Sequence, residues 1–310
     1  MVFVTRRLLA SIPVLLGVTL VAFLLIHMVP GDPAQEMLFG SSPTPEQIAN
    51  LRDQLGLSKP LWQQYVQFLG QLFHGDLGTS YGTQNPVAFE LLSRAPSTLV
   101  LTGTAMLIAI VVGVPLGFVA AVWPNSKIDR IARAISFLGV AIPYFWFALL
   151  LVLIFAINLH LLPAIDDGTP QALLLPALSL GWGHAAILTR LVRGRAIEEY
   201  HSDYVKSARA RGCSERRVLL HHIARNAAIP AVTNLGVQFG NILTGAAVTE
   251  VVFGRSGIGS FLANSITTKN IPVVQGAVVV LGIGYVLINL IVDVVVGVID
   301  PRTRLVPATA

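Results

Sequence analysis

Residues 204–230 read YVKSARARGCSERRVLLHHIARNAAIP, a basic, polar stretch from Tyr204 to Pro230 set between long apolar runs. A helix is expected over Arg195–Arg211, and Gly212 should end it, because glycine supplies the backbone freedom that a helix end needs. Ser214 is placed to cap a second helix, with Glu215 in its first turn, where a carboxylate suits the helix dipole. Val218, Leu219 and Ile223 then recur at helical spacing, and Arg216, Arg217 and Arg225 add positive charge. Small residues at Ser207, Ala208 and Ala210 would let another surface approach closely. Helix, glycine turn and basic helix make a compact knob suited to a groove on a soluble partner.

The rest of the chain sets the class. Of 310 residues, 54% are hydrophobic and only 12% charged, against roughly a quarter charged in soluble domains. Several apolar runs exceed the roughly 18 residues that point to a membrane span. The expected architecture is all-α: a polytopic membrane protein with six transmembrane helices in one domain over residues 1–310. The formal charge of +5 points to membrane sorting rather than nucleic acid, because the basic residues flank the apolar runs. A single cysteine, Cys213, excludes an internal disulfide and any multi-cysteine metal site.

The six spans are expected near Leu8–Val29, Ser97–Trp123, Ala134–Ile157, Gln171–Val192, Ala227–Phe253 and Val273–Ile299. The first follows Arg6 and Arg7 like a signal peptide. Its apolar run is longer than the roughly 7–15 residues of a signal h-region, and no small-x-small cleavage site follows, so it is read as an uncleaved span. With the N-terminus inside, of 21 Lys and Arg only Arg52, Lys59, Arg94, Arg255 and Lys269 fall outside, so both termini are read as cytoplasmic. Each span has a proline in it or at its edge: Pro13, Pro115, Pro143, Pro176, Pro230 and Pro272. A proline removes one helix hydrogen bond and bends the helix.

The segment 30–96 is then an external cap, and 193–226 a cytoplasmic hairpin. Within the cap, Thr44-Pro45-Glu46-Gln47 has the form of a helix start, with Thr44 as N-cap, Pro45 at the first helical position and Gln47 closing a capping box. Ile48, Leu51 and Leu55 share one face and Gly56 can end the helix. A second helix is expected from Pro60 to His74, apolar along Leu61, Tyr65, Phe68, Leu69 and Leu72, followed by a turn at Gly75-Asp76-Leu77-Gly78. Such a cap can lie on the membrane surface or meet an external partner.

With these residues in view, the hairpin resembles the cytoplasmic coupling segment of permease subunits of ATP-binding-cassette importers. Their generic motif begins Glu-Ala-Ala, with a glycine four residues after the second alanine; the matching positions here are Lys206, Ser207, Ala208 and Gly212. The replaced Glu and first Ala, and the later proline at Pro230, match the dipeptide/oligopeptide/nickel permease family, of the dipeptide-permease B-subunit type. IPVLLGVTLVAFLLIHMVPGDPA after Arg6-Arg7, LRDQLGLSKPLWQQYVQFLGQLFHGDLGTS, VVFGRSGIGSFLANSITTKNIPVVQG and the ending Asp300-Pro301-Arg302 resemble that family's segments in the same order. Arg255-Ser256 stands where many relatives have Trp-Pro.

The resemblance implies the type I importer transmembrane fold in a bacterial inner membrane, and uptake of di- or oligopeptides, with nickel, glutathione or opine uptake as the alternative. It implies a homologous second permease, two cytoplasmic ATP-binding subunits, an external substrate-binding protein or lipoprotein, and surrounding lipid, with no nucleic acid. It implies no cofactor in this chain, ATP and Mg belonging to the ATPases. The coupling residues would be Ser207, Ala208, Arg209, Ala210, Arg211, Gly212, Cys213, Ser214 and Glu215. Independently, none of Lys59, Lys127, Lys206 and Lys269 follows a glycine, so the chain lacks the Gly-Lys-Ser/Thr of a phosphate-binding loop.

Other residues invite a functional reading. Asn234, Gln238 and Asn241 share a face of the fifth span, where they either line a polar path or bond between helices. Asp293 and Glu250 are acidic residues in apolar spans, the signature of ion coupling in a secondary transporter. For Asp293, pairing with an inner arginine is the favoured alternative. His27, His160 and His184 lack the paired spacing of a metal site. Gly254-Arg255-Ser256-Gly257-Ile258 breaks the Gly-x-Ser-x-Gly nucleophile pattern, and no HExxH occurs, which argues against a hydrolase.

Overall fold

The computed structural model describes residues 2–28, 44–54 and 58–299. Among these the chain is helical, with no strand beyond a single bridge between Thr79 and Pro86. In chain order the helices are α1 (Val2–Met28), α2 (Pro45–Gln54), α3 (Leu61–Phe73), α4 (Val87–Val122), α5 (Lys127–Ala141), α6 (Tyr144–Asn158), α7 (Leu174–Tyr200), α8 (Asp203–Ala210), α9 (Glu215–Val252), α10 (Ile258–Thr267) and α11 (Ile271–Ile299). Five are long and apolar enough to cross a membrane, and the pair α5–α6 makes a sixth if counted as one span.

That pair carries the bend expected at Pro143 much further than a kink. α5 and α6 meet at Ile142-Pro143 with a bend of 108°. Ile142 is extended (φ −88°, ψ 123°), because the proline ring after it disfavours helical backbone. Pro13, Pro96, Pro115 and Pro230 instead sit inside continuous helices. The helix that carries the second span begins before the expected Ser97: α4 starts at Val87 and runs through Pro96.

The bundle is centred on α4 against α7. Ala105, Ala109, Gly113 and Gly117 recur every four residues on α4, and Ala177, Gly181, Ala185 and Thr189 do so on α7; all are buried. A Cβ on Gly113 would lie 2.6 Å from the Ala185 carbonyl oxygen, and one on Gly117 2.5 Å from that of Thr189. Glycine is needed there for space, so that two backbones can touch, as in small-xxx-small packing of membrane helices. The Thr189 hydroxyl donates across the contact to the Gly113 carbonyl (3.1 Å). α9 packs on α7 and α4, and α11 bridges α9 to α1. α1 and α11 run antiparallel, with Val18 beside Gly282 and Arg7 beside Asp293.

The predicted cap helices form. The Thr44 N–H donates to Gln47 Oε1 (2.9 Å) and the Gln47 N–H to Thr44 Oγ1 (3.3 Å), closing the capping box. Gly75 and Gly78 have φ of 75° and 79° in the expected turn. On α3, Tyr65, Phe68, Leu69 and Leu72 are half-buried, whereas Leu61, at the first turn of the same side, is exposed. Residues 30–43, Leu55, Gly56 and the ending Asp300-Pro301-Arg302 lie outside the described residues.

Candidate functional site

The hairpin caps one end of the bundle. The helix expected over 195–211 is two helices. α7 stops at Tyr200, where the His201 N–H donates to the Glu198 carbonyl (3.2 Å) and the Ser202 N–H to that of Glu199 (3.1 Å). Ser202 is extended (φ −69°, ψ 154°) and α8 starts at Asp203. The signal was present in Ser202-Asp203, an N-cap followed by a first-turn carboxylate. Further on, the reading holds. Gly212 has φ +80°, its N–H donates to the Arg209 carbonyl (2.9 Å), and the Cys213 N–H donates to that of Ala208 (3.2 Å). This is a Schellman ending, which requires a left-handed residue at the Gly212 position.

Two side-chain systems hold the hairpin in shape. Arg209 reaches Glu215 with both arms of its fork (3.1 and 2.7 Å) and lies 4.3 Å over the Tyr200 ring. The Tyr204 hydroxyl donates to Glu199 Oε2 (2.6 Å) and accepts from Asn226 Nδ2 (3.0 Å), so one phenol joins α7, α8 and α9. Burial, then the Glu199 hydrogen bond, holds that phenol above its ordinary pKa, so it stays protonated and able to donate.

Burial corrects the role of the small residues. Ala208 is buried with Val205, Val218 and Ile223 against Ala121 of α4 and Ala196 of α7; it fastens the hairpin to the bundle and offers no approach from outside. Ser207, Ala210, Arg211, Gly212, Ser214 and Glu215 form the exposed crown, with Arg209 and Cys213 half-covered. Ser214 has the extended backbone of an N-cap, but its side chain makes no capping bond. The second helix is not a separate limb. It is the start of α9, entered through a π-helical stretch at Val218–Ile223, a wider turn that apolar spacing does not reveal.

The polar face of α9 divides. Gln238 is buried, and its Oε1 lies 2.6 Å from His184 Nδ1 on α7, an interhelix hydrogen bond. Asn234 is half-buried, with its Oδ1 enclosed and unpartnered. Asn241 is exposed and faces a groove between α9 and α11, shared with Thr244 and Tyr285. Asp293 takes its favoured alternative, pairing with Arg7 at 3.0 Å. Glu250 is fully buried. Its carboxylate accepts from the Thr98 hydroxyl (2.6 Å) and the Ser260 N–H (3.0 Å), while Thr98 Oγ1 accepts from the Ile258 N–H (2.9 Å). Together they satisfy the first-turn donors of α10, a structural task.

Among the ion pairs of the described residues that sequence reasoning missed, the one at Asp129 is the most buried. Asp129 is buried at the start of α5 and receives Arg193 of α7 at 2.5 and 2.9 Å, with Arg133 at 3.5 Å. Ser126-Lys127-Ile128-Asp129 is a capping sequence: Ser126 Oγ accepts from the Asp129 N–H (3.2 Å) and Asp129 Oδ2 from the Asn125 N–H (2.9 Å). Among the described residues no His, Cys, Asp and Glu cluster of metal-ligating geometry occurs.

Comparison with known proteins accords with this geometry. The profile of binding-protein-dependent transport system inner membrane components matches residues 113–305, and that of the N-terminal part of such components matches residues 1–102. The glutathione transport system permease protein GsiC of Escherichia coli strain K12 is 39% identical over 302 residues, covering 97% of this chain and 98% of the relative. That of Salmonella choleraesuis matches at the same identity and coverage. Among solved structures, an inward-facing MetNI methionine ABC transporter chain superposes with TM-score 0.55 at 18% identity, over 68% of this chain and 97% of that one. A chain of an amino acid ABC transporter with histidines gives TM-score 0.52 at 17% identity, over 69% and 94%. The fold is that of type I importer transmembrane domains, and the chain belongs to the binding-protein-dependent transport system inner membrane component family, as an ABC importer permease of the dipeptide/oligopeptide type.

Proposed function

We propose that this chain forms half of the membrane path of an importer for small peptides, with residues 1–310 acting as one permease domain. The observation that carries the reading is the hairpin: an exposed crown joined through short turns to both α7 and α9. In this reading the exposed residues from Ser207 to Glu215, fastened from beneath by buried Ala208, dock in a groove on a cytoplasmic ATPase, which holds the ATP and Mg. A second permease completes the path, and an external binding protein delivers the solute. The excess of Lys and Arg at the hairpin end supports placing that end and both termini in the cytoplasm. In this reading Asn241 faces the path, while Gln238 is held by His184 between α9 and α7.

Peptides are favoured as the solute class because glutathione, named for the relatives, is itself a small peptide, so the two readings differ only in which peptide the binding protein selects. A pull-down of the tagged chain from its native membranes in mild detergent tests the assembly. Two ATPases and a second multi-span chain are expected, and the associated binding protein can then be screened against dipeptides, oligopeptides and glutathione. A chain that purifies without an ATPase would overturn the reading in favour of an ion-coupled transporter.

A further inference from the structure

Helix α3 has three distinct faces. Tyr65 and Phe68 rest on α1, their rings 5.4 and 6.0 Å from that of Phe23, and the Tyr65 hydroxyl is 3.0 Å from Thr19 Oγ1. Gln64, Gln67 and Gln71 make a polar stripe. Directly opposite at helical spacing, Trp62, Val66, Leu69 and Phe73 make an apolar stripe. Trp62 is 66% exposed, Val66 60% and Phe73 88%, far more open than large apolar side chains in contact with water usually are.

We propose that this stripe is embedded in the lipid bilayer, so that α3 is an interfacial helix lying beside α1 within one leaflet. Four observations carry the assignment. α3 holds no charged residue along LWQQYVQFLGQLF, whereas its neighbour α2, PEQIANLRDQ, holds several; a helix made for a soluble partner has no need to shed all charge. Its level is set by α1: Phe23, on which Tyr65 and Phe68 rest, lies two residues inside the end of the apolar span Arg7–Leu25, near the boundary region that interfacial helices occupy. α1 itself exposes Leu20, Val21 and Leu24, a lipid-facing surface of a span that continues onto the α3 stripe. A tryptophan among aliphatic residues is also the composition of the membrane–water boundary.

The assignment does not depend on the substrate or on ATPase coupling. It is tested with nitroxide labels at Val66→Cys, Phe73→Cys and Gln67→Cys, each in a Cys213→Ala chain, in proteoliposomes of the complex as it co-purifies. Labels at 66 and 73 are expected to relax faster with oxygen, which concentrates in lipid, and the label at 67 with a water-soluble nickel chelate. Relaxation by nickel at 66 and 73 equal to that at 67 would place the stripe in water and overturn the proposal. Shielding of 66 and 73 from both reagents would show a protein partner covering them and overturn it equally. Should the cysteine variants fail to insert, quenching of Trp62 fluorescence by brominated lipids, in a Trp123→Phe, Trp146→Phe, Trp182→Phe chain, decides the same question: strong quenching supports lipid contact and none refutes it.

Discussion

The two ends of α9 are built on opposite principles. At the far end, Glu250 is buried and its carboxylate fills the space where a Cβ on Gly257 would stand, 2.1 Å away. It holds α10 and, through Thr98, α4 in one arrangement. At the hairpin end, α9 is entered through a π-helical turn, and its first carboxylate, Glu215, is exposed and paired with Arg209 across a glycine turn. A buried carboxylate with its donors matched in place fixes one geometry, because any other leaves donors unsatisfied. A surface ion pair over a wide turn allows small displacements at little cost. The contrast fits a lever fixed at one end and moved at the other.

The contrast is broken or sharpened most directly at its stiff end. Glu250→Ala strands the Thr98 hydroxyl and the Ser260 N–H and should cost about 4 kcal/mol, at roughly 1–3 kcal/mol per stranded buried group plus the lost packing. Thermal unfolding of the detergent-purified protein measures it, and a loss below 1 kcal/mol would mean that this end is not clamped. Asp129→Ala leaves Arg193 without its buried partner. The site is sealed by its neighbours but lies near the rim of the bundle, so about 3 kcal/mol is expected, the low end for a broken buried pair. The same unfolding assay reads it.

At the hairpin, Gly212→Val forces a β-branched residue to φ +80° and should cost about 1–2 kcal/mol while uncoupling ATP hydrolysis from uptake. Gly212→Asn, which tolerates that conformation, should retain most coupling. Transport at wild-type level in the valine variant would remove the hairpin's proposed role. The smallest effect is expected for the Arg209–Glu215 pair, whose coupling in a double-mutant cycle should stay below about 1 kcal/mol because both groups meet solvent. A larger value would make the hairpin end as rigid as the other.

Much of this was legible in the chain. The apolar runs locate the spans because a bilayer demands long uncharged helices, and Thr44-Pro45-Glu46-Gln47 and Gly212 name their own local structures because capping and left-handed backbone are decided within a few residues. The break at Ser202-Asp203 and the cap at Ser126 to Asp129 are equally local signals, an N-cap residue with a carboxylate in the first turn. The small residues of α4 and α7, spaced by four, were visible as spacing but not as a contact.

By itself, then, the sequence determined the class, the apolar spans and the turn at Gly212, which follow from short-range chemistry or from the bilayer's uniform demand for apolar length, while the family was legible as a resemblance of motifs. Only the tertiary structure decided which polar residues are structural and which are open. Gln238 meets His184, Glu250 meets Thr98 and Ser260, Asp129 meets Arg193, and Asp293 meets Arg7. Apart from Glu250 with Ser260, these pairs join positions far apart in the chain, so no local pattern encodes them; the partner is chosen by the packing of helices that brings a donor within reach of an acceptor. Asn241 stays open because the same packing leaves it facing the groove between α9 and α11.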